Sequence, residues 1–181
     1  GSFQGKGAHC AINPHAGYEK RYPVIEMKEK KKILVVGAGP GGIQAALTAA
    51  ERGMQVELWE KQYELGGNLI SAGAPIFKQD VKDYINYITR QITKSNVIVR
   101  LGKEATTEEI FRNNFDAVIF GAGSNPAVPP IPGVDSKIVT TSTRVLGGKE
   151  QIGQNVVVIG GGLVGCEIGL HLKMQGKDVT I

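Results

Sequence analysis

The distribution of apolar and polar residues changes after the first 32 positions of the chain. Residues 3–32 mix glycine, proline, histidine and charged side chains without any period, which predicts an irregular leader. From position 33 onward, short apolar runs alternate with segments of helical periodicity. This alternation is typical of an α/β fold with a parallel sheet.

The first regular segment, residues 33–60, predicts one βαβ unit. Residues 33–36 form an apolar run that ends in glycines, as a buried parallel strand does. Residues 41–52 are rich in alanine and leucine and predict a helix, with Gly53 placed to cap its C-terminus. Residues 56–59 predict the second strand.

The same order of elements recurs later in the chain. After a predicted loop over 65–75, apolar residues recur every three to four positions from Val81 to Ile92 and predict an amphipathic helix. Strands are predicted over 97–101 and 117–120, with a short helix over 107–112. Beyond four prolines in 126–132, a helix is predicted over 141–146, a strand over 156–159, a helix over 163–175 and a strand from 179.

These elements divide the 181 residues into three segments. Residues 1–32 form the leader, 33–127 a first nucleotide-binding domain, and 128–181 the opening part of a second. The boundary falls among the prolines because proline fixes φ and stiffens the chain. We expect Gly1 and Ser2 to be the remnant of a cleaved tag and the whole chain to be a piece of a longer protein.

A glycine motif joins the first strand to the first helix. Gly37 allows a tight turn, Gly39 leaves room for a pyrophosphate, and Gly42 lets helix and strand pack closely. Gly41 lies beside them at the helix N-terminus, which offers free N–H groups to an anion. Together with Glu60, which ends the second strand where ribose hydroxyls are bound, the motif predicts a dinucleotide site. A purely structural glycine turn is the alternative.

A second motif of the same spacing follows the strand predicted over 156–159. Gly160, Gly162 and Gly165 predict a second dinucleotide site, so the chain is expected to have a Rossmann-like FAD/NAD(P)-binding fold of the two-dinucleotide-binding-domain flavoprotein type. The position that separates NADH from NADPH falls about two residues beyond Ile181. Glu167 either lies on the helix surface or points toward the cofactor, and both readings stay open.

Charge and cysteine content exclude several functions. The leader carries the whole net charge of +4 and the rest of the chain is neutral, so no nucleic-acid surface is expected. No apolar run is long enough for a membrane span, and a cytoplasmic location is expected. The basic run 28–32 predicts a solvated linker. Cys10 and Cys166 form no redox pair, and Cys166 is expected to be packed.

The leader adds a more specific resemblance. Cys10-Ala11-Ile12-Asn13-Pro14, followed by Gly17, Glu19, a charged spacer and the motif at Gly37, resembles the iron–sulfur flavoenzymes typified by bacterial 2,4-dienoyl-CoA reductase and trimethylamine dehydrogenase. The resemblance implies a preceding barrel domain that carries FMN and a four-cysteine 4Fe–4S cluster at the junction. Cys10 matches the last cluster ligand, and the other three are expected upstream of residue 1.

The same resemblance assigns further cofactor contacts. Gly67 and Asn68 lie in a segment similar to the flavin loop, directly after Leu65 and Gly66. The backbone at Ala105 corresponds to the adenine contact. Ala122 and Gly123 fall in a turn that usually reads A-T-G-x-x-P, so a hydroxyl contact is lost here. Lys61, next to Glu60, is included among the expected cofactor contacts.

The resemblance implies an oxidoreductase in which NAD(P)H reduces FAD and electrons pass through the cluster to FMN. An unsaturated or amine-type small molecule would react in the barrel, so no catalytic residue is assigned here. The intact protein could form homo-oligomers, whereas the fragment is expected to be inactive and to bind FAD weakly.

Two other functions stay open at this point. In the first, the chain is a structural module that binds ADP instead of FAD, as in an amine dehydrogenase-type enzyme. In the second, less favoured, it belongs to the glutamate synthase small-subunit type. That type usually has Tyr-Gly-Ile-Pro where this chain has Ala72-Gly73-Ala74-Pro75.

Overall fold

A computed structural model describes residues 10–181 of the chain. Residues 10–31 contain turns and bends but no helix or strand, as predicted for the leader. The expected tag remnant, Gly1 and Ser2, lies outside the described residues. In the part of the chain that is described, no helix is both long enough and apolar enough to cross a membrane.

The first unit is built on a parallel sheet of four strands in the order β3-β2-β1-β4. The strands are β1 (Lys32–Val36), β2 (Gln55–Glu60), β3 (Ile98–Leu101) and β4 (Ala117–Phe120). Val36, at the carboxyl end of β1, lies opposite Trp59 on β2 and Phe120 on β4. Loops that follow neighbouring parallel strands therefore meet at one edge of the sheet.

Four helices belong to this unit: α1 (Pro40–Glu51), α2 (Asn68–Ala72), α3 (Gln79–Lys94) and α4 (Thr107–Arg112). The core lies between the sheet and the helices α1 and α3. Ile43 of α1 is 0% exposed, and Ile88 and Ile92 of α3 are 4% and 1% exposed. Burial of each such side chain contributes about 1.5–3 kcal/mol. The amphipathic pattern predicted for α3 is confirmed.

The short helix α2 is the one regular element in this unit that the sequence did not predict, since residues 65–75 were expected to be a loop. It makes little more than one turn and contains no buried residue. Its N-cap, Gly67, has a φ of +54°. A helix this short leaves no periodic pattern in the sequence.

The second unit contains helices α5 (Ser142–Leu146) and α6 (Leu163–Met174) and strands β5 (Asn155–Val157) and β6 (Asp178–Thr180). The two strands pair in parallel, with Val156 opposite Val179. Strand β5 ends two residues earlier than predicted. Residues 121–141 carry no helix or strand, and the domain boundary placed at 127–128 stays a prediction.

Glu57 on β2 is the centre of a cluster of hydrogen bonds and ion pairs. Glu57 accepts hydrogen bonds from Trp59 Nε1 at 3.0 Å and from Arg100 Nε at 2.9 Å. Lys32 Nζ lies 3.7 Å from Glu57 and 4.5 Å from the Phe115 ring centre. The expectation that residues 28–32 form a solvated linker is therefore wrong for Lys32, which begins β1.

Burial alone would raise the pKa of the Glu57 carboxyl. The hydrogen bonds from Trp59 and Arg100, together with the charges of Arg100 and Lys32, outweigh burial and hold that pKa below its ordinary value. The ionised carboxylate is thus the form that the fold stabilises.

We predict that Glu57→Gln lowers the free energy of unfolding at neutral pH by about 1–3 kcal/mol, because charge-assisted hydrogen bonds are lost. The stabilisation from a carboxyl with a lowered pKa is present above its unfolded-state pKa and is lost as the pH falls through its folded-state pKa. Urea unfolding should be measured from about pH 7 to about pH 3. Over this range the free energy of unfolding should fall less in the variant than in the parent. Glu29→Gln, at an exposed leader position, is the control. Equal pH dependence in Glu57→Gln and the parent would contradict the prediction.

Candidate functional site

The turn after β1 brings α1 into direct contact with the backbone of the sheet. Gly37 has a φ of +97°, and its N–H donates to the Trp59 carbonyl at 2.7 Å. A Cβ at Gly42 would lie 1.8 Å from the Gly37 carbonyl oxygen. A Cβ at Gly37 would lie 2.4 Å from the Gly121 carbonyl oxygen. Only glycine permits both approaches.

Gly39 and Gly41 differ from these packed glycines. A Cβ at either position would meet no atom within 4 Å. Gly39 is the N-cap of α1, so the unpaired N–H groups of the first helical turn face this open space. A pyrophosphate could approach the backbone at Gly39, and the site fits a dinucleotide.

Two further loops converge on the same place. The N–H of Gly66 donates to the Ala38 carbonyl at 2.9 Å, and a Cβ at Gly67 would lie 2.9 Å from Gly39 Cα. Asn68 Nδ2 donates to the Ser124 carbonyl at 3.1 Å. The structure thus brings Gly67 and Asn68 together with Gly39. It also brings the turn that contains Ala122 and Gly123 to this site, because Ser124 follows directly.

Glu60 anchors the far side of the site. The residue is 9% exposed, and its two carboxylate oxygens accept the N–H groups of Ala38 at 2.7 Å and Gln62 at 2.8 Å. Each oxygen keeps lone pairs for a ribose hydroxyl. The predicted position of Glu60 is therefore suited to its predicted role.

The predicted contacts at Lys61 and Ala105 lie around Glu60. Lys61 follows Glu60 and is exposed. The N–H of Lys103 donates to the Glu60 carbonyl at 2.8 Å, which places the segment containing Ala105 beside the end of β2.

The motif of the second unit repeats the geometry of the first. Gly160 has a φ of +112°, and a Cβ at Gly165 would lie 1.8 Å from the Gly160 carbonyl oxygen. Gly162 is the N-cap of α6, and a Cβ there would meet nothing within 4 Å. The second unit therefore presents the same open helix N-terminus as the first.

Two side chains on α6, Cys166 and His171, lie near the second motif in the sequence. Cys166 is exposed, with its Sγ donating to the Gly161 carbonyl at 3.4 Å, so the prediction of a packed cysteine is wrong. The thiol contacts the backbone of the glycine motif instead of packing in a core. His171 is half-buried and lies 3.1 Å from Gln175 through their side-chain nitrogens.

Glu167 lies in an ion pair that the sequence did not predict. Its Oε1 accepts from Lys78 Nζ at 2.5 Å, and the two residues are 89 positions apart. The two interpretations of Glu167, a solvated helix residue or a residue that points toward the cofactor, did not include this partner. No local pattern could indicate Lys78, because the pairing arises only when the two units pack.

Cys10 is exposed at the beginning of the described chain. It precedes a turn in which Asn13 Oδ1 accepts the N–H of His15 at 3.0 Å. Within residues 10–181, no three His, Cys, Asp or Glu side chains come together in a way that could hold a metal ion. Because a 4Fe–4S cluster takes four thiolates, the described residues do not fit such a cluster by themselves.

A parallel α/β unit with a glycine motif and a ribose-side acid, followed by a second motif of equal geometry, defines a Rossmann-like FAD/NAD(P)-binding flavoprotein. Comparison with known families agrees with this class. The chain belongs to the pyridine nucleotide-disulphide oxidoreductase family, whose model matches residues 31–181.

Individual relatives support the resemblance drawn from the leader. The chain is 41% identical over 172 residues to a cinnamate reductase of Clostridium sporogenes, covering 95% of this chain and 26% of the relative. It is 42% identical over 184 residues to an NADH oxidase of Thermoanaerobacter brockii, covering 99% and 28%. The chain thus spans about a quarter of the length of the curated relatives that it matches.

A solved structure of a 2-naphthoyl-CoA reductase with 2-naphthoyl-CoA is also similar. It has a TM-score of 0.89 at 36% identity, covering 94% of this chain and 26% of that one. These relatives confirm the resemblance to the iron–sulfur flavoenzymes of the 2,4-dienoyl-CoA reductase type.

The two kinds of glycine make separable predictions for the intact protein. Gly39→Ala should leave the unfolding temperature nearly unchanged but lower nucleotide affinity by at least about tenfold, because the methyl group fills the space at the helix N-terminus. Gly42→Ala should destabilise the fold by at least about 2 kcal/mol, because α1 must move away from the Gly37 carbonyl. Thermal unfolding and isothermal titration measure the two effects.

Gly41→Ala is the matched control for stability, since its Cβ meets nothing and alanine favours a helix. It should be as stable as the parent or slightly more stable. Loss of stability in Gly39→Ala equal to that in Gly42→Ala would contradict the assignment of Gly39 to a binding role.

Proposed function

We propose that the chain is the nucleotide-binding part of an NAD(P)H-dependent flavin and iron–sulfur oxidoreductase. In the intact protein, electrons would pass from NAD(P)H through FAD and a 4Fe–4S cluster to FMN in a barrel domain, where an unsaturated, enoate- or dienoyl-CoA-like substrate is reduced. The observation that carries this proposal is the equal geometry of the two glycine motifs, with a Cβ-to-carbonyl distance of 1.8 Å at both Gly42 and Gly165.

The first site is proposed to hold FAD. The open N-terminus of α1 at Gly39 suits the pyrophosphate, and the Glu60 carboxylate suits the ribose hydroxyls. Gly67 and Asn68 border the same space. When bound, FAD supplies the redox chemistry, and these residues bind and orient it.

The second site is proposed to hold NADH or NADPH at the N-terminus of α6. Gly162 leaves the same open space there as Gly39 does in the first unit. An intact second motif supports the oxidoreductase over a structural module that binds ADP at the first site. The names of two relatives, a cinnamate reductase and an NADH oxidase, point in the same direction.

The intact protein is proposed to contain the iron–sulfur cluster and the substrate site. Cys10 is proposed to supply one of four thiolates to the cluster, with the other three coming from outside residues 1–181. The partner is proposed to be a small-molecule substrate, in a cytoplasmic protein that could form homo-oligomers and binds neither nucleic acid nor membrane. The neutral charge balance beyond the leader supports the absence of a nucleic-acid partner.

The decisive experiment is an absorbance spectrum of the intact protein after anaerobic addition of NADH or NADPH. We expect the flavin absorbance near 450 nm to be bleached by one of the two nucleotides, because hydride transfer reduces the bound flavin. NAD⁺ added under the same anaerobic conditions is the control and should leave the spectrum unchanged. If neither reduced nucleotide bleaches a flavin, the ADP-module function is favoured instead.

The chain of 181 residues by itself is expected to have no NAD(P)H-dependent activity and to bind FAD weakly. Its match to only about a quarter of the length of its relatives supports this expectation. Titration of FAD with the purified chain, followed by flavin fluorescence, measures the affinity. Recovery of the chain with one FAD per molecule would contradict the prediction.

A further inference from the structure

An ion pair joins the two nucleotide-binding units. It connects Glu167 on α6 with Lys78, the N-cap of α3. Lys78 Nζ lies 2.5 Å from Glu167 Oε1, and the two side chains are 29% and 28% exposed. Partial burial on both sides reduces screening by water and salt. This contact is therefore less screened than a pair on an open surface.

Both ends of the ion pair are held by rigid elements. Lys78 is the N-cap of α3, and its N–H donates to the Pro75 carbonyl at 3.0 Å. Helix α3 is fixed in the first core through Ile88 and Ile92. On the other side, Glu167 precedes Ile168, which is 5% exposed. The ion pair therefore connects two elements that are each packed within their own unit.

Glu167 lies close to the proposed binding site of the reduced nucleotide. It comes two residues after Gly165 and five after Gly162, about 7.5 Å along the helix from the N-cap. An unpaired carboxylate on the second turn of that helix would oppose the pyrophosphate of a dinucleotide bound at the helix N-terminus. The ammonium group of Lys78 compensates the carboxylate charge without occupying the helix N-terminus.

A charge interaction between α3 and α6 lies one helical turn farther along each helix. Burial and, to a smaller extent, the charge of Lys82 lower the pKa of the His171 imidazole. Lys82 follows Lys78 by four residues, and His171 follows Glu167 by four, so each pair is on one helix face. The contact between α2 and α5, where Ser71 Oγ donates to the Thr143 carbonyl at 3.2 Å, adds a further link between the units.

We propose that Lys78 is a positioning residue for the second nucleotide site. By pairing with Glu167 it holds the N-terminal turns of α6 against the first unit and neutralises the carboxylate beside the site of NAD(P)H. The expected effect on the KM for NAD(P)H rests on the proposed function, whereas the expected effect on the position of α6 does not. It assigns Lys78 no contact with substrate or cofactor.

The test uses the intact protein and a cycle of three variants: Lys78→Met, Glu167→Gln and the double variant. Lys78→Met should raise the KM for NAD(P)H by about tenfold or more with a smaller change in kcat, because it misplaces α6 and leaves the carboxylate uncompensated. The double variant should recover part of that loss, since no charge is then left unpaired. Lys82→Met is the matched control, because it removes a lysine from the same helix face without breaking an attractive pair.

A second measurement does not depend on nucleotide turnover. Hydrogen–deuterium exchange without NAD(P)H should be faster in residues 163–167 of Lys78→Met than in the parent or in Lys82→Met. Unchanged exchange together with an unchanged KM would overturn the proposal. A KM effect equal in Lys78→Met and Lys82→Met, or a double variant worse than Lys78→Met, would also overturn it.

The two measurements separate failure of this proposal from failure of the proposed function. If the parent protein does not oxidise NAD(P)H, the proposed function fails, and faster exchange in Lys78→Met still supports the positioning role. If the parent oxidises NAD(P)H and Lys78→Met matches it in both measurements, the positioning role fails while the function stands.

Discussion

The first unit depends on the close approach of α1 to the turn after β1. At Gly42 the helix backbone lies so near the Gly37 carbonyl that a Cβ would be 1.8 Å from the oxygen. Any side chain there would displace the helix from the sheet. The position of the helix N-terminus, and with it the candidate dinucleotide site, thus depends on glycine at position 42, which has no Cβ.

The remaining parts of the site are arranged around that approach. Because α1 is close to the sheet, the Ala38 carbonyl can accept from Gly66, and Gly67 can lie against Gly39. The Glu60 carboxylate binds the N–H of Ala38 and fixes the same turn from the other side. In the second unit, the same distance between Gly165 and the Gly160 carbonyl gives α6 the same position relative to its own strand.

The sequence predicted the features that are local. Each glycine motif lies within six residues between a strand and a helix, and the period of α3 extends over more than three turns, so both appear in the order of residues. The single-turn helix α2 has too few residues to show a period. Cys166 was assigned by the general preference of cysteine for cores, whereas the structure leaves it exposed.

Interactions between distant residues could not be predicted in this way. Glu57 gathers Trp59, Arg100 and Lys32 from three strands, and only the register of the sheet brings them together. Lys32 in particular belongs to a basic run that resembles a solvated linker until its pairing with β2 is known. The pair of Lys78 and Glu167 requires, in addition, the packing of one unit on the other.

Glu60 and Glu167, which lie near the two glycine motifs, are held in two different ways. Glu60 is buried, and two backbone N–H groups stabilise its charge, so its position is fixed by the same turn that shapes the site. Glu167 is more exposed and is compensated by a lysine side chain from the other unit. The first arrangement survives as long as its unit is folded, whereas the second also depends on how the two units are oriented. The partner of the Glu167 carboxylate thus comes from the other unit, whereas the partners of Glu60 come from its own unit.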